Sequence, residues 1–240
     1  MSLKEQKKKW WNGFRVVSTG ETTMMDLEPS TLVENYGIPR SLCKHTLDDI
    51  VPANEKQLIV INHMYNLVHD WKGTPSTMIV TGGNGTGKSM LGAALVHSLA
   101  IEDAVNNGLR ISSRYTDEAS LTMRLTGFDT SGTFDLFARK ISLLVIDEFA
   151  MTQWSPADKK KIEQYLGVRY GNNLKTIIFT NRTADELFGA GGQEAILSSQ
   201  LRSRYGSGYL VDMNGVDYRR NPDALKRAIE SGGHSEDWLF

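Results

Sequence analysis

One run of eight residues, Gly82-Gly83-Asn84-Gly85-Thr86-Gly87-Lys88-Ser89, limits what this chain can fold into more than any other feature. It fits the pattern GxxxxGK followed by Ser or Thr. An apolar stretch from Thr77 to Val80 precedes it, and a segment of helical period from about Lys88 to Ala104 follows. Strand, glycine turn and helix in that order predict the opening of a βαβ unit. Glycines let successive backbone N–H groups turn inward, and the helix N-terminus adds its partial positive charge. Together these form a cradle for phosphate oxygens, with Lys88 reaching the outer phosphates and Ser89 offering a hydroxyl to magnesium. The expected ligand is ATP or GTP, held by Gly82 to Ser89 and the adjoining Met90.

A second apolar run, Ile141 to Ile146, delivers Asp147 and Glu148 at its end, where open α/β sheets place their ligands. Asp147 is expected to hold magnesium, directly or through water, and Glu148 to polarise an attacking water. A third, Lys175 to Thr180, ends in Asn181, read either as a turn residue or as a hydrogen-bond donor to that water or to a γ-phosphate. No Asn-Lys-x-Asp guanine reader is present, which favours ATP. The protein-kinase catalytic-loop signature is also missing.

Between these motifs the chain alternates strand and helix, with further strands expected at Leu109 to Ser113 and Gly208 to Asp212. Helices are expected near 117–126, 156–170, 184–188 and 222–229. Such alternation predicts an α/β fold with a mostly parallel central sheet flanked by helices. We divide the chain into an N-terminal arm or partner-binding appendage (1–37), an ATPase domain (38–220), and a C-terminal helix and tail (221–240). The composition of 240 residues, 40% hydrophobic and 23% charged, is that of a globular protein. The single Cys43 excludes an intrachain disulfide, and no apolar run is long enough to span a bilayer, so a cytoplasmic protein without membrane contact is expected. Net charge is only −1, so any nucleic-acid contact must be local. The basic start with Lys7, Lys8, Lys9, Trp10 and Trp11 is a docking segment or a solubilising tail.

The ordered succession GGNGTGKS, LLVIDE, IIFTN, LRSRY and VDYR resembles the P-loop AAA+ ATPases of the DnaC-like helicase-loader group, with the IstB transposition ATPases and DnaA initiators as relatives. The likeness spans about residues 38 to 220 and includes Ile38-Pro39-Arg40. It implies a Mg-dependent ATPase that self-associates through its ATP site, with Arg204 as a finger reaching a neighbour's nucleotide and Arg202 as second choice. Arg219 is implied as a sensor of the γ-phosphate within the same subunit. It further implies a hexameric DnaB-type replicative helicase and single-stranded DNA as partners, with Arg114, Tyr115, Arg124, Trp154, Lys159, Lys160 and Lys161 as candidate DNA contacts or, alternatively, packed and solvated residues. Two other readings stay open: a transposition ATPase binding duplex DNA, and a nucleotide-gated adaptor with negligible turnover.

Overall fold

The computed structural model describes residues 27–226 apart from 51, 75, 106–111, 127–135, 190–193, 207, 216, 218–219, 221–222 and 224–225. Five strands form one sheet: β1 (Thr77–Thr81), β2 (Ser113–Asp117), β3 (Leu143–Asp147), β4 (Lys175–Thr180) and β5 (Tyr209–Asp212). Their order is β2-β3-β4-β1-β5, and every pairing is parallel. Helices α1 (Pro29–Tyr36), α2 (Glu55–His69), α3 (Lys88–Val105), α4 (Glu118–Thr126), α5 (Pro156–Gly171), α6 (Ala184–Phe188) and α7 (Ser199–Tyr205) complete the described elements, together with short turns at Arg40–Leu42, Leu47–Asp49 and Leu136–Lys140.

The alternation of strand side chains creates two apolar layers. Met78, Val80, Leu143, Val145, Ile177 and Phe179 face α1, α2 and α3, and pack with Leu32, Val60, Met64, Leu91 and Leu95. Ile79, Leu144, Ile146 and Ile178 face the other way, onto Ile162, Tyr165, Leu166, Leu201 and Tyr205 of α5 and α7. Strands β1, β3 and β4 are buried at every position, which is why they read as unbroken apolar runs. Gly92 lets α3 approach the sheet: a Cβ there would lie 2.8 Å from the Phe179 ring and 3.0 Å from Val145. Helix starts follow their capping chemistry. Asn54 accepts from Gln57 N, Ser155 accepts from Asp158 N ahead of Pro156, and Thr183 and Glu186 form a reciprocal box.

Two expectations shift. The second strand is Ser113–Asp117 rather than Leu109 to Ser113, of which 109–111 lie outside the described residues. Within the segment read as an arm, Pro29 opens α1 and Gly37 closes it in the left-handed region, with Leu32 fully buried in the core. The packed core therefore extends N-terminal of residue 38. The C-terminal helix expected over 222–229 falls almost wholly outside the described residues.

Candidate nucleotide site

The C-terminal ends of β1, β3 and β4 open into one cavity of about 430 Å³ lined by Asn84 to Met90, Asp147, Glu148, Thr180 and Asn181. Strand β1 ends at Thr81 and the chain turns through Gly82, Gly85 and Gly87, at φ values of 153°, 75° and 91°, before entering α3. At Gly85 a Cβ would fall on the Asp217 carboxylate, so both the backbone angle and the space demand glycine. The Lys88 ammonium, buried to 7% exposure, donates to the carbonyls of Gly82 and Gly83, each at 2.7 Å. Thr86 Oγ1 donates to Gly83 O and Gly83 N to Asn214 Oδ1, which fixes the loop from within and from the segment after β5.

On the facing strand, the Asp147 carboxylate is 5% exposed and its two oxygens are held separately. Glu148 N donates to Oδ1 at 2.9 Å, and the Tyr115 hydroxyl donates to Oδ2 at 2.5 Å. Burial first, and then the charge of Asp147, push the Tyr115 hydroxyl well above the usual phenol range, so it acts as a donor. Glu148 is exposed at the cavity and adopts φ 54°, a left-handed conformation unusual for a side-chain-bearing residue. The loop beyond it is tied down: Phe149 N donates to Phe179 O, Thr180 Oγ1 to Phe149 O and Arg182 Nε to Ala150 O. Buried Glu118 accepts from Ala150 N, from Thr152 Oγ1 at 2.5 Å and from Trp154 Nε1 at 2.7 Å. At the end of β4, Asn181 Nδ2 donates to Asn84 Oδ1 of the glycine loop at 2.7 Å.

Magnesium fits this donor set. Asp147 and Ser89 present hard oxygens beside the phosphate cradle, and Mg²⁺ is commonly held by one or two carboxylates together with nucleotide phosphates. Leu42, Ala53 and Met90 add apolar surface to the same cavity. Gln57 joins them, its Nε2 donating to Thr86 O and its Oε1 accepting from Ala53 N. Sequence reasoning did not single out Leu42, Ala53, Gln57, Glu118 or Thr180.

Arg202 and Arg204 lie elsewhere. Arg204, on α7, is half-buried with its guanidinium 5.6 Å from the Tyr170 ring. It lines a separate surface cavity with Lys160, Glu163 and Ser198, so it does not join the glycine loop within the chain. Arg202 Nη1 donates to Phe188 O, an internal contact. Arg219 lies outside the described residues. Of the candidate DNA contacts, Tyr115 is corrected: it is buried beneath Asp147. Trp154 is half-buried against Phe149 with its N–H on Glu118, and Arg114 is half-buried and reaches Asn35 O. Arg124 and Lys160 are exposed, and Lys161 donates to Leu125 O. Among the described residues no helix is long and apolar enough to cross a membrane.

Residues 60–224 match the family model of IstB-like ATP binding proteins. Solved structures with the same fold include DnaI (19% identity, TM-score 0.60, covering 75% of this chain and 93% of that one). They also include the DnaC helicase loader, at 20% identity and TM-score 0.56, covering 72% and 99%. A replication initiator DnaA bound to AMPPCP and single-stranded DNA is similar at 17% identity and TM-score 0.57, over 77% of this chain and 55% of that one. No curated protein sequence matches the chain.

Proposed function

Because the chain belongs to the family of IstB-like ATP-binding proteins, we propose that it is an ATP-dependent loader that places a hexameric DnaB-type replicative helicase on single-stranded DNA. The observation carrying the ATPase part is the convergence of Lys88, Ser89, Asp147, Glu148 and Asn181 on one cavity at the strand ends. Lys88 and the backbone N–H groups of the loop bind the triphosphate, while the apolar lining of Leu42, Ala53 and Met90 takes the base. Magnesium, held through Ser89 and Asp147, supplies neutralisation of charge on the phosphate oxygens. Glu148 accepts the proton of the attacking water, and Asn181 orients that water or the γ-phosphate.

In this reading each site is completed by a neighbouring subunit. Arg204 lines a cavity separate from the one its own glycine loop lines, which supports a role across a subunit boundary. Arg219 is assigned to the γ-phosphate of its own subunit, and the nucleotide acts mainly as a switch between subunit arrangements. The likeness to a helicase loader and to a DnaA bound to single-stranded DNA supports the choice of partners. A forked-DNA unwinding assay with the host helicase tests it: Lys88→Ala is expected to abolish stimulation, and unchanged stimulation would sink the proposal.

A second reading, a transposition ATPase on duplex DNA, comes from the resemblance of the motif succession to the IstB transposition ATPases, and the family match is to IstB-like ATP binding proteins. Filament formation on duplex rather than single-stranded DNA, with no helicase complex, would select it.

A further inference from the structure

Strand β2 lies at the edge of the sheet, next to β3, with Tyr115 paired to Val145 and Asp117 to Asp147. An edge strand has little reason to bury a phenol beneath a neighbour's carboxylate, because a buried hydroxyl needs a partner and a buried carboxylate needs donors. Here each satisfies the other. Tyr115 is 4% exposed, and its hydroxyl lies 2.5 Å from Asp147 Oδ2. Ser89 lines the same cavity as Asp147. The carboxylate best suited to hold magnesium is thus held from behind by a tyrosine hydroxyl.

We propose that Tyr115 is a positioning residue for the metal: by donating to Asp147 Oδ2 it fixes the direction of that carboxylate before a metal–nucleotide complex arrives. This rests on the nucleotide-site reading above. A carboxylate oxygen has two lone pairs, so Oδ2 can accept from the phenol and still face a cation. Glu148 N already fixes Oδ1, so the phenol removes the remaining rotation of the carboxylate. Hydrogen bonds of this kind behind a metal ligand typically contribute roughly 10-fold to 100-fold in metal affinity or activity.

Tyr115→Phe tests this, because the ring keeps its packing and only the donating hydroxyl is lost. Two quantities are measured on the full chain: the affinity for a fluorescent ATP analogue in EDTA, and the affinity of the ADP complex for Mn²⁺, read from the electron-spin resonance of free Mn²⁺. The expected result is an EDTA affinity within about twofold of wild type and Mn²⁺ binding weakened roughly 10-fold. Retained nucleotide affinity with unchanged Mn²⁺ binding overturns the proposal. Tighter Mn²⁺ binding also overturns it, since the phenol would then compete with the metal. Loss of nucleotide affinity in EDTA makes Tyr115 a structural residue only, and equally overturns it. If the wild-type chain itself binds no nucleotide, the parent reading of the cavity fails as well, which separates the two.

Discussion

Asn181 Nδ2 donates to Asn84 Oδ1 over 2.7 Å, a bond that joins the end of β4 to the crown of the glycine loop. The asparagine is half-buried at the mouth of the same cavity as Lys88 and Glu148, so one amide both braces the loop and faces the proposed phosphate site. Asn181→Ala is expected to leave ATP affinity within a few-fold of wild type. It should slow single-turnover hydrolysis roughly 100-fold, the scale for removing one donor from a developing charge. Rapid-quench measurement with saturating enzyme checks this, and an unchanged rate would remove Asn181 from the mechanism.

Gly85 at φ 75° sits where an added Cβ would meet the Asp217 carboxylate. Gly85→Ala is expected to cost about 1–3 kcal/mol in strain and to weaken ATP binding at least tenfold. Differential scanning fluorimetry with and without ATP reads both effects in one experiment.

Arg169 is wholly buried in the layer beneath β4, donating to Thr176 Oγ1, Ile141 O and Lys175 O. Its charge is met by oxygen dipoles far from the glycine loop, and burial draws its pKa downward. Arg169→Met leaves those acceptors short of a donor and is expected to cost about 2 kcal/mol. That corresponds to a fall of roughly 4–8 °C in Tm. ATP affinity measured well below the new Tm should be unchanged.

Two capping carboxylates give the protein an acid-side dependence. The backbone N–H of Thr183 is the main cause holding Glu186 below the usual carboxylate range, and that of Thr46 does the same for Asp49. A folded-state pKa below the unfolded one contributes stability that is present above about pH 4 and is lost as pH falls through the depressed folded values. Glu186→Gln and Asp49→Asn should therefore lower Tm modestly at pH 7. Their difference from wild type should shrink toward zero as pH drops below about 4. Melting curves across that range check the sign.

The strands that carry the motifs were legible because β1, β3 and β4 are buried on both faces, and unbroken apolar runs such as Leu143 to Ile146 follow from that. Strand β2 was not. Its residues Ser113 to Asp117 include an arginine and an aspartate at an edge, so the nearby Leu109 and Ile111 drew the reading away. Tyr115 and Trp154 were left between DNA contact and packing because sequence cannot tell that one lies under Asp147 and the other donates to Glu118. Gln57 pairs with Thr86, 29 positions away, and leaves no local trace. Helix α1 did leave one: Pro29 and Gly37 bracket it with the usual start and stop signals.

The most direct test of the account is light scattering coupled to size-exclusion chromatography on the wild-type chain and Lys88→Ala, each mixed with the host replicative helicase, with and without ATP and magnesium. The account predicts a stable complex carrying several copies of the wild-type chain per helicase hexamer, with an arrangement that responds to ATP and a response that Lys88→Ala loses. Absence of any complex under all conditions would contradict the loader function and turn attention to a transposase or another DNA-bound partner.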